Sequence, residues 1–555
     1  MAERTPAEEV FVVAEGADPR ETPEVMGFKA YSLLRMARIG LPVPAAFVLG
    51  TTFCRDYFQR GGRLAAGFRD LLAQNIRRIE SSSGTGFGSS RRPLLVSVRS
   101  GAAVSMPGMM DTVLNVGLCE GVLRGMLRMT GNPRLVWDSY RRLIESFAEV
   151  VAGCSKEPYQ AAVTQCLRRE RLERARDLDF KTLEQLAADY LDIYLEQTGH
   201  AFPQDPLDQL EAAVQAVFRS WQSTRAAAYR RMAGIDDALG TAVTVQRMVF
   251  GNSGGTSGAG VAFTRNPATG ENELYMDFAS NAQGEDVVSG RHALHEPDVL
   301  ADILPRAFEA ILAVRAKLER EFGDAQEFEF TVQDGRPYLL QTRNGKRTPF
   351  AALRVAVEQV REGLIEPREA LARLAGIDLA AIRDVRVAAD PSAALCRAVP
   401  ASVGVATGEI ALDCARAAER AAAGAAVILV RADIATEDII GIDSARGVLT
   451  VAGSRTSHAA VVARQLDRVC LVGCEALRVD MQARLCTIGG RVFREGELLT
   501  LDGRAGRVFA GAVEAVNEVP REYLDEVARW RGEVRAAHPQ EAAAEGAAEA
   551  VTATH

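Results

Sequence analysis

A long helical block set between strand-like segments is the feature that most restricts how this chain can fold. Between about residues 119 and 235 apolar side chains recur at helical spacing, as in VWDSYRRLIESFAEVVAG, and strand signals are few. The preceding stretch is mixed and includes an apolar strand from Leu94 to Val98. After the block, strand-like segments return at Ala242 to Val249, Val261 to Thr264, Glu273 to Phe278 and, as a hairpin, Phe328 to Thr342. We therefore predict one α/β domain over residues 1–345 with a helical insertion at about 119–235.

The remainder of the chain is predicted to form a second α/β domain behind a linker. Residues 346–395 are charged and helical with no core of their own, and two short helices there would let the domains move. A compact unit follows at 396–515, where Ala426 to Val430 and Gly447 to Val451 have the pattern of buried strands. Residues 516–555 hold an amphipathic helix and an Ala- and Glu-rich tail, which we expect to be disordered. The 555-residue chain is thus expected to be a multidomain protein of the mixed α/β (α+β) class.

Composition and charge narrow the classes of protein to which the sequence can belong. Hydrophobic residues make up 48% and charged residues 25%, which fits a soluble globular protein with sizeable cores. A net charge of −8 argues against a general nucleic-acid surface, because phosphate backbones require clustered Lys and Arg. The sequence shows neither a signal-peptide pattern nor an apolar run of about 18 residues. We therefore expect a cytoplasmic protein with no nucleic-acid or membrane partner.

The cysteines predict neither a zinc site nor a disulfide framework. All nine are scattered without repeated C-x-x-C pairs and histidine partners. Cys470 and Cys474 lie in the apolar run VCLVGC, where buried packing is the expected role.

His458 stands at the predicted start of a helix in the run TSHAAVVAR. Thr456 or Ser457 can cap that helix, and the first backbone N–H groups together with the helix dipole stabilise a phosphate carried by the imidazole. His458 is therefore a candidate catalytic residue that accepts phosphate. The alternative is a capped helix whose first-turn histidine only packs or meets solvent.

Arg99 ends the apolar strand that precedes a loop rich in Gly, Met and Pro. An arginine at a strand end is placed to fork onto phosphate oxygens, which makes Arg99 a candidate catalytic and nucleotide-binding residue. A simple ion pair with a carboxylate at the sheet edge is the alternative.

A second loop, GNSGGTSGAG at 251–260, has five glycines between strand-like runs. Its backbone N–H groups can follow a polyphosphate, with Gly254, Thr256, Ser257 and Gly258 as the candidate binding residues. The loop matches no Walker A pattern, so a plain flexible connection remains open.

The hairpin EFEFTVQDGRPYLLQTR predicts a metal-binding face. A three-residue loop at 334–336 would set Glu329 opposite Gln341 and Glu327 opposite Arg343, all on the face away from the phenylalanines. Two carboxylates suit Mg²⁺, which takes one or two carboxylates with substrate phosphate oxygens. An exposed, salt-bridged hairpin is the alternative.

Taken together, these motifs resemble those of the pyruvate phosphate dikinase family. The stretches that carry the resemblance follow the family's order and are LLVSVRSGAAVSMPGMMDTVLNVGL, FGNSGGTSGAGVAFTRNPATGENELY, NAQGEDVVSG, LLQTRNGKRT and TSHAAVVAR. The resemblance implies an ATP-grasp nucleotide-binding domain and a swivelling phosphohistidine domain, with His458 as the phosphate acceptor. It also implies ATP- or Mg²⁺-site roles for Lys29, Arg99, Glu327, Glu329, Gln341 and Arg343, the two glutamates being the metal ligands.

The sequence departs from the family pattern in an early loop and at Glu327. The family's early Gly-Gly-Lys-Gly loop is Gly27-Phe28-Lys29-Ala30 here, so close backbone approach to a nucleotide is less assured. Glu327 replaces the usual aspartate. Thr456 matches a position that is phosphorylated for regulation in plant members, although helix capping is the simpler role.

In the family, a C-terminal barrel that binds pyruvate or phosphoenolpyruvate follows the phosphohistidine domain. The sequence continues for about 40 residues past that domain, whereas such a barrel takes roughly 250. We therefore expect the phosphoryl acceptor to be bound by a separate chain.

The expected activity is ATP-dependent phosphotransfer of the dikinase type, in the class with paired acceptors. ATP and Mg²⁺ form phosphohistidine at His458, AMP leaves, and inorganic phosphate is the expected co-substrate, released as pyrophosphate. The acceptor is pyruvate or, as in phenylphosphate synthase, another small molecule. The rival from another class is a non-catalytic, nucleotide-binding regulatory homologue.

Overall fold

The computed structural model describes residues 9–13, 21–104, 106, 110–172, 174–284, 287, 297–434, 439–453, 455 and 458–537. The chain divides into two compact units. The first comprises Met1–Gly258 and Phe330–Arg343, and the second comprises Ala259–Glu329 and Asn344–His555. In the described parts of both units, helices and sheets are mixed, as the predicted fold class requires.

An antiparallel five-stranded sheet forms the centre of the first unit. The strands of this unit are β1 (Val10–Val13), β2 (Ala46–Leu49), β3 (Gly86–Phe87), β4 (Pro93–Leu94), β5 (Val96–Gly101), β6 (Thr112–Val116) and β7 (Ala242–Arg247). The sheet has the order β1-β2-β7-β5-β6, while β3 and β4 pair separately. Valines of the two central strands, such as Val98 and Val245, are fully buried because helices cover the sheet.

Helices surround this sheet and fill the sequence between β6 and β7. They are α1 (Pro23–Met26), α2 (Phe28–Arg38), α3 (Thr51–Gln59), α4 (Phe68–Ser83), α5 (Glu120–Thr130), α6 (Pro133–Val150), α7 (Glu157–Glu170), α8 (Phe180–Thr198), α9 (Pro206–Ser220) and α10 (Thr224–Ala233). Asn132, Asp179 and Asp205 cap three of them by accepting backbone N–H bonds, which satisfies donors that the helix leaves unpaired.

The second unit begins with two strands, two helices and a hairpin. These are β8 (Gly258–Phe263), β9 (Tyr275–Ser280), α11 (Pro297–Ile303), α12 (Pro305–Phe322) and the hairpin strands β10 (Gln326–Gln333) and β11 (Arg336–Asn344), whose tip belongs to the first unit. Within the second unit, β8 lies between β9 and the beginning of β10.

The hairpin turns through two residues rather than the three that the sequence predicted. Asp334 and Gly335 both have positive φ, 51° and 76°, as a type I′ turn requires. This turn twists with the strands, and Asp-Gly supplies the two residue types that accept its backbone angles most readily. The predicted loop at 334–336 is therefore wrong by one residue.

The rest of the second unit contains a larger sheet with helices and a small separate sheet. Its helices are α13 (Pro349–Arg361), α14 (Pro367–Leu374), α15 (Cys414–Ala422), α16 (Ile439–Ser444), α17 (His458–Gln465) and α18 (Arg521–Ala537). Its strands are β12 (Asp384–Val387), β13 (Cys396–Arg397), β14 (Val399–Ser402), β15 (Val405–Ala411), β16 (Val427–Arg431), β17 (Gly447–Thr450), β18 (Val469–Val472), β19 (Leu477–Asp480), β20 (Leu485–Ile488), β21 (Arg491–Arg494), β22 (Leu498–Asp502), β23 (Arg507–Ala510) and β24 (Ala515–Glu518).

The eight-stranded sheet has the order β13-β23-β22-β15-β16-β17-β18-β14, and β15 to β18 run parallel. Parallel neighbours need crossover connections, which α15, α16 and α17 provide. Ala417, Ile442 and Ala463 of these helices pack on one face of the sheet. On the other face, Leu477 and Phe493 of the small sheet β19-β20-β21 join a second apolar cluster.

The linker helices α13 and α14 have a hydrophobic core, which corrects the expectation that this segment has none. Leu353 and Val357 of α13 and Leu374 of α14 are buried. They pack in one cluster with Val527 and Trp530 of the C-terminal helix α18. The linker and α18 are far apart in sequence, so the pattern of either segment alone does not reveal their common core.

Candidate functional site

Arg99 lies inside β5, which continues to Gly101, rather than at a strand end as the sequence predicted, and its side chain is directed at the hairpin. Strand β5 pairs Arg99 with Thr244 on one side and Thr112 on the other. The half-buried guanidinium donates through Nη1 to the backbone carbonyl of Leu340, 3.3 Å away. Leu340 precedes Gln341, so within this unit the predicted arginine and the predicted hairpin strand are brought together.

Lys29 lies at the start of α2, against the end of the strand that carries Arg99. Gly27 has φ of 77°, and a Cβ there would lie 2.1 Å from the carbonyl oxygen of Gly101. The backbone N–H of Phe28 donates to the carbonyl of Ala102 over 2.9 Å. Only glycine permits this approach, since any side chain would meet backbone. The one glycine kept from the family's loop therefore holds the Lys29 helix beside the end of β5.

Gln341 and Arg343 lie on β11, in the part of the hairpin that belongs to the first unit. Gln341 is 9% exposed and Arg343 is half-buried. The strand is fastened to this unit by a bond from the N–H of Leu339 to the carbonyl of Pro42, 2.8 Å. Gln341 and its neighbour Thr342 are both buried, so the alternation of buried and exposed side chains along β11 is interrupted here.

Glu327 and Glu329 lie on β10 in the second unit and alternate with apolar residues. Phe328 is fully buried and belongs to the core side of the strand. Glu327 is 7% exposed and Glu329 is half-buried. The alternation puts both carboxylates on the other face of the strand, which is the face that the sequence predicted.

The open end of the hairpin keeps the predicted register although the turn does not. The N–H of Gly345 donates to the carbonyl of Ala325 over 2.9 Å, and the side-chain amide of Gln326 donates to that of Asn344 over 2.8 Å. Since the turn has two residues, β11 contains one residue more than β10 between these points.

The glycine-rich loop is tied to the hairpin tip. The N–H of Asp334 donates to Oγ of the fully buried Ser257, 2.9 Å, and the N–H of Gly335 donates to the carbonyl of Thr256, 2.7 Å. Gly254 has φ of 152° and its carbonyl accepts from the N–H of Ser257, 3.0 Å. These bonds give the loop a defined shape, and Gly258 begins β8 directly after it.

His458 is the first residue of α17, in the second unit, so the predicted helix start is confirmed. Thr456 and Ser457, predicted to cap this helix, lie outside the described residues. Arg464, near the other end of α17, is 3% exposed and donates through Nη1 to the carbonyls of Ala401 and Arg455, at 2.7 and 2.9 Å. The helix that begins at His458 is thereby fixed to the edge of its sheet.

Sequence reasoning missed the aromatic contacts around this segment. The Arg455 guanidinium lies 4.9 Å from the ring centroid of Tyr275, whose hydroxyl donates to the carbonyl of Pro400 over 2.7 Å. Burial raises the pKa of Tyr275 well above its usual range, so the hydroxyl is a permanent donor. Arg464 lies 5.6 Å from the ring of Phe263. Arg455 directly precedes the signature that contains His458, but no local pattern indicates its aromatic partner.

The residues present fit Mg²⁺ bound together with a nucleotide. Within the described ranges, no group of three or more His, Cys, Asp or Glu side chains is arranged to hold a metal ion. Glu327 and Glu329 offer two carboxylates, and Mg²⁺ that is bound through substrate phosphates needs one or two.

Among the residues that the structure describes, no helix is both long and apolar enough to cross a membrane.

Two family models match the chain. Residues 64–305 match the AMP/ATP-binding domain of pyruvate phosphate dikinase, and residues 424–506 match the mobile domain of PEP-utilising enzymes. The second match includes His458.

Curated relatives match nearly the whole chain. A pyruvate, phosphate dikinase of Clostridium symbiosum is 40% identical over 517 residues, which is 92% of this chain and 59% of the relative. The chloroplastic pyruvate, phosphate dikinase 1 of Zea mays is 42% identical over 492 residues, 88% of this chain and 52% of the relative. The pyruvate, phosphate dikinase of Giardia intestinalis is 40% identical over 520 residues, which is 92% of this chain and 58% of the relative.

The chain thus spans little more than half the length of these relatives. Over that length it combines their ATP-grasp nucleotide-binding domain with their mobile domain. The chain belongs to the pyruvate phosphate dikinase family.

Proposed function

We propose that this chain performs the phosphohistidine half-reaction of a pyruvate phosphate dikinase, transferring phosphate from ATP to His458. The hydrogen bond from Arg99 to Leu340 carries the proposal. It joins the strand that ends beside Lys29 to the strand of Gln341 and Arg343, so candidate phosphate-binding residues from distant parts of the sequence converge in one unit. Family membership and the helix start at His458 support it independently.

In the proposed site, three cations hold the nucleotide's phosphates. Arg99 and Arg343 form paired hydrogen bonds to phosphate oxygens, and Lys29 contributes a point charge. Glu327 and Glu329 would hold Mg²⁺, which would neutralise charge on the phosphates, and Gln341 is a further nucleotide-binding residue. The glycine loop, with Gly254, Thr256, Ser257 and Gly258, offers backbone N–H groups to the polyphosphate. Positioning and charge neutralisation supply most of the rate in phosphoryl transfer.

The proposed phosphorylation of His458 takes place in two steps. An imidazole nitrogen of His458 attacks the β-phosphorus of ATP, the bond to the α,β-bridging oxygen breaks, and AMP leaves. Inorganic phosphate then attacks the terminal phosphorus on the histidine, so pyrophosphate leaves and one phosphoryl group stays on His458. That group passes to pyruvate or another small molecule, which we propose is presented by a separate acceptor-binding chain.

The test is labelling with ATP that carries ³²P at the β-phosphate, in the presence of Mg²⁺. We expect acid-labile label on the protein and release of AMP, both lost in His458→Ala. His200→Ala is the matched control, because His200 is exposed and lies in the first unit. Label that persists in His458→Ala overturns the assignment. Pyrophosphate release that depends on added phosphate supports phosphate over water as the co-substrate.

A non-catalytic, nucleotide-binding role is the second candidate, and the altered Gly27-Phe28-Lys29-Ala30 loop favours it. The same experiment separates the two. ATP binding measured by calorimetry without label or AMP supports a regulatory binder, whereas label with AMP supports the enzyme. Discharge of the label by pyruvate or by a phenol, with candidate acceptor chains added, then distinguishes dikinase chemistry from phenylphosphate-synthase-like chemistry.

A further inference from the structure

Two thiols that no proposed step uses lie against each other in the second unit. The Sγ atoms of Cys396 and Cys474 are 3.5 Å apart, although 78 positions separate the residues in sequence. Cys474 is fully buried, while Cys396 is partly exposed. A disulfide has an S–S length of about 2 Å, so the two sulfurs would have to approach each other by about 1.5 Å more to join.

The two cysteines belong to strands that are far apart in the order of the eight-stranded sheet. Cys396 is on β13, which pairs only through β23, with Cys396 opposite Val508. Cys474 follows β18, whose neighbour at the other end of the order is β14, with Val472 opposite Val399. Ala398 alone separates β13 from β14, so the chain itself joins the two ends of this order, which explains why Cys396 comes close to Cys474.

The surroundings of the pair favour Cys474 as the thiolate. A hydrogen bond with Cys396, in which either sulfur can be the donor, and the backbone N–H groups of Ala476 and Leu477 lower the pKa of Cys474, against the effect of burial. The hydrogen bond to Cys474 and burial raise the pKa of Cys396. The buried Cys474 sulfur is thus suited to attack a mixed disulfide on Cys396, and partial exposure makes Cys396 the sulfur that an oxidant reaches.

We propose that Cys396 and Cys474 are a disulfide-forming modification site that responds to low-molecular-weight disulfides. In the first step Cys396, the accessible member of the pair, loses its proton to solvent and its sulfur attacks the small disulfide, forming a mixed disulfide and releasing a small thiolate that takes up a proton. In the second step the Cys474 sulfur attacks the Cys396 sulfur, forms the protein disulfide and releases the second small thiol. The two protein thiols are oxidised and the small disulfide is reduced, so electrons and protons balance.

The site adjoins the segment that leads to His458. The N–H of Cys474 donates to the carbonyl of Thr450 over 2.9 Å, at the end of β17. A Cβ on Gly473 would lie 3.2 Å from the carbonyl oxygen of Gly453. The disulfide would therefore restrain the backbone that supports residues 450–453.

The experiment treats the folded, full-length protein with oxidised glutathione, alkylates the remaining thiols and maps peptides by mass spectrometry. We expect a Cys396–Cys474 linked peptide, a mass decrease of about 2 Da and loss of two of the nine alkylatable thiols, all reversed by dithiothreitol. Wild-type protein that stays fully alkylatable, or that keeps glutathione on Cys396, overturns the proposal.

Variants test the order of the two steps. Cys474→Ser should accumulate the mixed disulfide on Cys396, whereas Cys396→Ser should form no adduct at Cys474. Cys470→Ala is the matched control, since Cys470 is equally buried but packs in the cluster on the other face of the sheet, and it should leave the cross-link intact. Equal glutathione adducts at Cys474 in Cys396→Ser contradict the proposed order.

Discussion

Arg99 donates a hydrogen bond through Nη1 to the backbone carbonyl of Leu340, across 3.3 Å and 241 positions of sequence. A guanidinium has five N–H donors in a fixed planar arrangement, so this bond also fixes the plane of the group. The bond orients the side chain towards the strand that carries Gln341. This contact links the first unit's sheet to the hairpin tip and underlies the proposed nucleotide site.

Replacing Arg99 by lysine should weaken nucleotide binding and histidine labelling even though the charge is kept. Lysine has no planar group with which to bond both Leu340 and a phosphate. We therefore expect the rate of histidine labelling to fall by about 10- to 100-fold. Arg336→Lys on the same hairpin is the control, because that side chain is exposed at the tip. Rapid-quench labelling measures both, and equal rates for Arg99→Lys and wild type would contradict the role.

Gly27→Ala should destabilise the first unit and misplace Lys29. The new Cβ meets the Gly101 carbonyl at 2.1 Å in a backbone with φ of 77°, so we expect a loss of about 3 kcal/mol in unfolding free energy. Gly40→Ala has nearly the same φ, 71°, with nothing within 4 Å of its Cβ, and should lose only about 1 kcal/mol. Urea unfolding compares the two variants. Equal losses would show that backbone strain alone acts at Gly27.

Ser257→Ala should loosen the glycine loop from the hairpin tip. It removes the acceptor of the Asp334 N–H in a fully buried position, at a cost of about 1 to 3 kcal/mol. Thr256→Ala should cost much less, because Thr256 is exposed and bonds Gly335 through its backbone carbonyl. Hydrogen exchange at the backbone amides of Asp334 and Gly335 measures the protection that each of the two hydrogen bonds provides. Protection at Asp334 that survives in Ser257→Ala would rule out the bond.

Asp138 should contribute a pH-dependent part of the stability of the helical block. Burial alone would raise its pKa, but Arg141 and Arg142, at 2.7 and 2.9 Å, outweigh burial and lower the pKa from 3.8 to about 2. A depressed carboxyl pKa stabilises the fold above the unfolded pKa, and this gain is lost as pH falls through the folded pKa. The expected contribution is about 2 kcal/mol, present above about pH 5 and lost towards pH 2.

The measurement is the difference in unfolding free energy between wild type and Asp138→Asn from pH 6 to pH 2. The difference should be constant at the upper end and shrink as the pH approaches 2. Asp192→Asn on the neighbouring helix α8 is the control, since Asp192 is exposed. A difference for Asp138→Asn that does not change with pH would show that its carboxyl is not held by the arginines.

The positions of the main elements could be predicted from the sequence because their signals are local. The strand predicted from Ala242 is Ala242–Arg247, and the one predicted from Gly447 is Gly447–Thr450. Alternation and apolar runs reflect burial of each strand face, which a short window contains. The common core of α13, α14 and Trp530 was missed because it joins distant segments.

The hairpin shows which features of a strand pair follow from local sequence and which do not. Asp334-Gly335 predicted a turn, and the structure has one, but with two residues instead of three. The backbone bond from Gly345 to Ala325 has the register that the sequence predicted, whereas the turn is one residue shorter than predicted. That Glu327, Glu329, Gln341 and Arg343 act together remains a prediction.

The sequence by itself determined which residue types are available for phosphate chemistry. It also determined that His458 begins a helix, because capping and periodicity are signals that a few neighbouring residues contain. Tertiary structure alone decided which of them meet. Arg99 reaches Leu340, Gly27 abuts Gly101, and Cys396 lies against Cys474 because sheets pair strands from distant positions. Those pairings depend on packing of the whole unit, which no local pattern encodes.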